Sequence, residues 1–178
     1  MNREELLGSY VKVIALFAVL FLLYSELFVG TQSHASYITF LVEFSSQILH
    51  AIGFEHSTHI DRQLAYAHIK TDVGGDIVNG GFVLVDKNSD AIRESLLLIA
   101  AILAWQLSLR RKVIALVVGA LLMIALNNVR IASLVVVDHY WPLYFPLASQ
   151  WLLPALMVIF VLAYMMIVVR WNNDKLAE

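Results

Sequence analysis

The fold is decided by residues 113–137, which read VIALVVGALLMIALNNVRIASLVVV. This run is long and apolar enough to cross the hydrocarbon core of a bilayer, for which a helix needs about 20 residues. Similar runs lie at 11–29, 91–107 and 151–169. Of the 178 residues, 60% are hydrophobic and 15% are charged, whereas a soluble domain has about 45–50% apolar and about 25% charged residues. The composition predicts a membrane protein and excludes a soluble enzyme, a nucleic-acid binder and a disordered scaffold.

The four runs predict an all-α integral membrane protein with about four transmembrane helices in a single membrane domain, 1–178. The first run is longer than the core of a signal peptide, and no small-residue cleavage pattern follows it, so we expect it to be retained. Trp105, Trp141 and Trp151 lie near the ends of the runs, where interfacial aromatic residues are expected.

The positions of the basic residues predict the orientation. Both termini and the loop 110–112 carry them, at Arg3, Lys12, Arg110, Arg111, Lys112, Arg170 and Lys175. Because positive residues favour the cytoplasmic side, we expect the termini and this loop to be cytoplasmic. The opposite face then holds residues 30–90 and 138–150, which carry most of the polar groups.

Residues 35–53 predict an amphipathic helix in the outer interface rather than a fifth span. Apolar side chains recur there at helical spacing, and the other side is polar, with Glu43, Gln47 and His50. The following segment, 60–88, predicts a small β-rich element. Its Asn79-Gly80 pair between β-forming residues is a strong hairpin signal, and residues 64–70 are expected to add a strand.

Arg130 is the leading candidate for a functional residue, because an ionisable side chain inside a membrane helix is energetically expensive. Asn127 lies one helical turn before it, so both side chains are expected to face one cleft. The alternative is that Arg130 reaches the outer interface and only anchors the helix.

Ser89 is a second candidate, since it lies just before the run 91–107. Asn88 or Ser89 is a natural N-cap, and Asp90 in the first turn would complement the helix dipole. A helix N-terminus also stabilises a thiolate or an oxyanion, but a serine there needs a base. His139 is a possible base, although such a histidine is more often an interfacial polar residue.

A metal site and a cofactor are not expected. The histidines and acids of residues 55–61, with His68, have no standard ligand spacing. The chain has no cysteine, which removes disulfides, thiolate metal sites and cysteine nucleophiles.

Residues 80–104, 126–134 and 145–170 together resemble the exosortase/archaeosortase family, most of all its short, core-only members. The most specific part is the block Asn127-Asn128-Val129-Arg130-Ile131. The resemblance implies a multi-pass protein of the bacterial inner membrane with its site facing the periplasm. Family members are membrane cysteine proteases and proposed transpeptidases. They recognise a C-terminal sorting tag, made of a short motif, an apolar helix and a basic end, and cut it at the outer face.

The family's catalytic set is a Cys, an Arg and a His. Arg130 matches the Arg, whereas the Cys position falls on Ser89 and the His position on Ser149. One reading is a processing enzyme with Ser89 as nucleophile and His139 as base. The other is a non-catalytic relative, which binds an apolar sorting helix of a secreted protein, or another membrane subunit, through Asn127 and Arg130. Such a relative would serve the export of a surface protein or exopolysaccharide. The expected partners are therefore the lipid bilayer and an apolar helix, without nucleic acid.

Overall fold

The computed structural model describes residues 3–61, 66–70, 82–87 and 89–174. The helices are α1 (Arg3–Leu23), α2 (Gln32–Ala51), α3 (Ile92–Ala104), α4 (Leu109–Tyr140), α5 (Phe145–Leu147) and α6 (Leu153–Asp174). A π-helical turn, Tyr24–Phe28, extends α1. A 3₁₀ turn, Pro142–Tyr144, precedes α5, and a second π-helical turn, Ala148–Leu152, follows it. The strands are β1 (Ser57–Asp61), β2 (Tyr66–Lys70) and β3 (Phe82–Val85).

Three helical segments of the described chain are long and apolar enough to cross a membrane: Gly8–Phe28, Leu109–Tyr140 and Pro142–Asn172. The protein is thus an α-helical, membrane-embedded protein. The predicted span at 91–107 is helical only over the 13 residues of α3, which is shorter than the about 20 residues that a span needs. A count of four spans stays a prediction.

The three strands form one antiparallel sheet in the order β1-β2-β3. Alternate side chains of β2 and β3 are buried, at Ala67, Ile69, Val83 and Val85, which is the period-two pattern of a strand with one covered face. The Asn79-Gly80 turn lies outside the described residues. β3 pairs with β2, and the sequence analysis did not foresee β1.

The single membrane domain that the sequence predicts stays a prediction, and the structure is described as two compact units. We name Leu27–Ala91 with Ile124–Ala155 the sheet unit. Its core joins the buried face of α2 to the sheet and to the second half of α4, and includes Ile38, Leu41, Val42, Leu49, Ala67, Ile69, Val83, Val85, Ile131 and Val135.

The helix predicted over 35–53 is α2, which begins at Gln32 because Thr31 caps it. The Thr31 hydroxyl accepts a hydrogen bond from the backbone N–H of His34 at 3.2 Å, as N-cap threonines do. Its apolar face packs on the sheet rather than lying open. The placement of α2 at a membrane interface stays a prediction.

The second unit, which we name the span unit, consists of Met1–Glu26, Ile92–Met123 and Leu156–Glu178. Here α1 packs along α3. Gly119 on α4 packs against side chains of α3 and α6, since an added Cβ would lie 2.9 Å from Leu98 Cδ2 and 3.2 Å from Tyr164 Cε1. The Tyr164 hydroxyl donates to the Ala115 carbonyl at 2.8 Å. A larger residue at position 119 would therefore have to displace these two side chains.

Candidate functional site

The five candidate residues, Ser89, Asn127, Arg130, His139 and Ser149, all belong to the sheet unit. Asn127 and Arg130 lie on α4, in the second half of its apolar run 113–137. The Arg130 side chain is 7% exposed and Asn127 is 0% exposed. Residues three apart on a helix are surface neighbours, so the two polar groups form one buried patch on α4.

Asn127 has an unusual environment for a buried amide. Neither its Nδ2 nor its Oδ1 atom has a hydrogen-bond partner among the residues that the structure describes. An asparagine side chain offers two donors and an acceptor, and leaving such a buried group unpaired costs about 1–3 kcal/mol. Asn127 is therefore the described position with the largest unmet hydrogen-bonding capacity near Arg130.

The adjacent Asn128 is equally buried but fully engaged. Its Nδ2 donates to the Ile124 carbonyl at 2.8 Å, and its Oδ1 accepts from the Ser45 hydroxyl at 3.0 Å. The first bond lies within α4, and the second connects α4 to α2 within the sheet unit. The two neighbouring asparagines thus differ in their hydrogen bonding, a difference that the sequence alone does not indicate.

Ser89 lies in the loop between β3 and α3, and its hydrogen bonds go to that loop and to the adjacent strand β3. Its N–H donates to the Asp86 carbonyl at 2.9 Å. Its hydroxyl lies 3.2 Å from the Leu84 carbonyl and 3.3 Å from an Asp86 carboxylate oxygen, both of which can only accept. No histidine that the structure describes hydrogen-bonds to Ser89.

The N-cap predicted at Ser89 is wrong, because α3 begins only at Ile92. The intervening Ala91 has φ +55°, a left-handed conformation that costs an L-residue roughly 1–2 kcal/mol. Asp90 therefore precedes α3 instead of lying in its first turn. The alternative cap, Asn88, lies outside the described residues.

Asp90 instead forms a buried polar cluster with α2. The His34 Nε2 atom lies 3.2 Å from an Asp90 carboxylate oxygen, and the two side chains are 2% and 1% exposed. The Tyr37 hydroxyl donates to the Asp90 backbone carbonyl at 3.2 Å. Burial, and then the charge of Asp90, raise the pKa of Tyr37 to about 12. The cluster holds the strained segment before α3 against α2.

Sequence reasoning missed this cluster. His34 and Asp90 are 56 residues apart, and neither belongs to a local motif that contains the other. The only local signal was the position of His34 at the start of an amphipathic helix. A pair of this kind becomes visible only when the chain is folded.

Ser149 lies in the π-helical turn before α6, where its hydroxyl donates to the Pro146 carbonyl at 3.4 Å. Beside it in the chain is an apolar cavity of about 410 Å³, lined by Val137, Trp141, Tyr144, Leu147, Ala148 and Leu152. Ser89 and Ser149 thus each bond locally. Their convergence with Arg130 stays a prediction.

His139 has an aromatic environment. Its ring meets Phe54 edge to face at 5.1 Å and Tyr140 at 4.7 Å. Its Nδ1 atom is buried and has no hydrogen-bond partner within the described chain. These contacts hold the ring in the sheet unit, and they do not link it to Ser89.

The segment considered for a metal, residues 55–61, mostly forms β1. Within it, both ring nitrogens of His56 are used: Nδ1 donates to the Phe54 carbonyl at 2.9 Å, and Nε2 lies 2.6 Å from the Ser46 hydroxyl. Among the described residues, no three His, Asp or Glu side chains are grouped as metal ligands would be.

No family model matches the chain, and no curated protein and no solved structure matches it either.

Proposed function

We propose that this chain is a non-catalytic relative of the exosortases, a multi-pass protein of the bacterial inner membrane that binds an apolar C-terminal sorting helix at the periplasmic face. The observation that carries the proposal is the buried, unpartnered amide of Asn127 one helical turn from Arg130. In this proposal Arg130 receives a carboxylate or a carbonyl group of the bound segment. The Asn127 side chain forms hydrogen bonds with the backbone of that bound segment.

The energetics of Asn127 support a binding role. A buried amide without a partner destabilises the protein, and a purely structural position would be filled better by leucine. A ligand that supplies a donor and an acceptor to this amide recovers the loss. Polar groups retained at such a cost inside membrane helices commonly mark a binding or transport site.

The surroundings of Ser89 support binding without cleavage. A serine becomes a nucleophile when an adjacent base takes its proton. The Ser89 hydroxyl is instead directed to the Leu84 carbonyl of β3 and to the Asp86 carboxylate of its own loop, and the chain has no cysteine.

Two features support an apolar ligand that binds at the periplasmic side of the membrane. The apolar cavity lined by Val137, Trp141 and Leu152 offers a surface for an apolar helix near Ser149. The basic loop 110–112 favours a cytoplasmic position for the end of α4 that carries it. The polar segments 30–90 and 138–150 are then expected on the periplasmic side.

The test uses the two adjacent asparagines as a matched pair. Asn127→Leu and Asn128→Leu make the same chemical change at two fully buried positions. A labelled synthetic peptide with a short motif, an apolar helix and a basic end is titrated against each variant in nanodiscs. We expect Asn127→Leu to bind the peptide about tenfold more weakly or worse, the effect of losing one or two hydrogen bonds, with its free energy of unfolding unchanged or increased.

Asn128→Leu is expected to give the opposite pattern. It removes the side-chain bonds to the Ser45 hydroxyl and to the Ile124 carbonyl and leaves Ser45 only the Asn128 backbone carbonyl at 3.3 Å. The free energy of unfolding therefore falls by about 1–3 kcal/mol, while the folded fraction retains peptide binding. Equal destabilisation by both substitutions would contradict the role of Asn127. Cleavage of the peptide by the unaltered protein, lost in Ser89→Ala, would contradict the non-catalytic assignment.

A further inference from the structure

The span unit contains a second polar site, which the proposed function does not use. A cavity of about 390 Å³ lies between the N-terminus of α4 and the C-terminal end of α6. It is lined by Ser108, Arg110, Arg111, Ile114 and Trp171. Two of these five residues are arginines and two are apolar. Residues 105–114 contain no acidic side chain. The lining is therefore cationic on one side and apolar on the other.

Arg111 is held in place by α6. It donates to the Asn172 side-chain oxygen at 2.6 Å and to the Asn172 carbonyl at 3.3 Å. Its guanidinium also lies 5.8 Å from the centre of the Trp171 ring, within the range of a cation–π contact. A fixed guanidinium loses little conformational entropy when a ligand binds beside it. Arg111 thus forms a rigid positive wall of the cavity.

Arg110 differs from its neighbour. Its side chain is exposed, and within the described chain it has neither a hydrogen bond nor an ion pair. Lys112, the third basic residue, is engaged by the Leu103 carbonyl at 2.8 Å and does not line the cavity. Arg110 is thus the basic group of this loop that is available to an anion.

An apolar stripe on α4 continues from Arg110. Val113, Val117 and Leu121 follow it at spacings of three, four and four residues, and each is more than half exposed. Side chains at these spacings lie along one face of a helix. A ligand bound at Arg110 with an apolar tail would lie along this stripe.

We infer that this cavity binds the phosphate group of an anionic phospholipid, whose acyl chain lies along Val113, Val117 and Leu121. Arginine forms paired hydrogen bonds with phosphate oxygens, and basic pockets between membrane helices bind anionic headgroups. The Ser108 hydroxyl provides a further donor. The chemistry at Arg110 is that of any phosphate ester, and the apolar half of the lining selects a lipid over a soluble phosphate.

The experiment uses Trp171 as a reporter, since it forms one wall of the cavity. In a variant with Trp105→Phe, Trp141→Phe and Trp151→Phe, Trp171 is the remaining tryptophan. The protein is reconstituted in phosphatidylcholine vesicles that contain a small fraction of brominated phosphatidylglycerol or, in parallel, the same fraction of brominated phosphatidylcholine. We expect phosphatidylglycerol to occupy the site about fivefold more strongly, the factor that one basic group contributes near an anionic lipid, and to quench Trp171 accordingly.

Two variants with the same loss of charge provide the control. Arg110→Gln should abolish the preference for phosphatidylglycerol, whereas Lys112→Gln should retain it, although both remove one positive charge from the same loop. Equal quenching by the two lipids in the unaltered protein, or equal behaviour of the two variants, would overturn the inference. A further measurement adds the soluble anions inorganic phosphate and glycerol phosphate to the vesicles. Displacement of the lipid by millimolar amounts of either would overturn the lipid assignment, and its persistence supports it.

Discussion

The sheet unit and the span unit differ in what they bury. Eight polar side chains are buried in the described chain, and seven of them lie in the sheet unit: His34, Thr39, Ser45, Asp90, Asn127, Asn128 and Arg130. In the span unit the buried side chains are almost all apolar, and an added Cβ at Gly119 would meet Leu98 and Tyr164 side chains. The sheet unit thus adds buried polar groups to its apolar core, whereas the buried side chains of the span unit are almost entirely apolar.

This difference has a physical reason. Lipid tails are as apolar as leucine, so membrane helices gain little from hydrophobic burial against each other and depend on close packing. A sheet joined to a helix can form a water-excluding core, in which hydrogen-bonded polar groups fix one arrangement. The sheet unit, which buries these polar groups, is accordingly where the binding site around Asn127 and Arg130 is expected.

The largest effect is expected at the buried pair of His34 and Asp90. Asp90→Ala leaves His34 buried without this partner, and removal of one member of a buried pair costs about 3–5 kcal/mol. The free energy of unfolding in mixed detergent micelles measures it. Glu43→Ala, which removes an exposed acid from α2, should cost less than about 0.5 kcal/mol. If His34→Ala combined with Asp90→Ala costs the full sum of the single changes, the two residues do not interact and the comparison fails.

An intermediate effect is expected at the helix contact of the span unit. Gly119→Ala places a methyl group 2.9 Å from Leu98 Cδ2, and overpacking of this kind costs about 1–3 kcal/mol. Gly8 on α1 is the matched control, because a Cβ there meets nothing within 4 Å. Gly8→Ala should stabilise the protein by up to about 1 kcal/mol through helix propensity alone. The same loss of stability in both variants would show that packing at Gly119 is not what holds the span unit.

The smallest effect is expected at Tyr37 and depends on pH. Burial, and then the charge of Asp90, raise the pKa of Tyr37 from 10.0 to about 12, so the folded state retains a proton that the unfolded state loses. The stabilisation is fully present below pH 10 and is lost as the pH rises from about 10 to about 12.

Tyr37→Phe tests this prediction. It should lower the free energy of unfolding at neutral pH by about 0.5–1.5 kcal/mol, because the hydrogen bond to the Asp90 carbonyl is lost. It should also make the loss of stability above pH 10 less steep than in the unaltered protein. An identical alkaline slope in both proteins would contradict the burial of this hydroxyl in the polar cluster.

Several elements were predictable because their signals are local. The long apolar runs of α1, α4 and α6 are sums over neighbouring residues, and so is the amphipathic pattern of α2. Arg130 and Asn127 stand out because they interrupt such a run. The N-cap at Ser89 was not predictable, since the start of α3 depends on how Asp90 is held by α2.

The sequence by itself determined that this is a helical membrane protein, which residues interrupt its longest apolar helix, and where its basic loop lies. Hydropathy and charge are properties of each residue and need no partner. The tertiary structure alone decided that Asp90 pairs with His34, that β3 pairs with β2, and that Asn128 is bonded while Asn127 is not. A hydrogen bond depends on the distance and direction of two groups far apart in the chain, and only the folded chain fixes both.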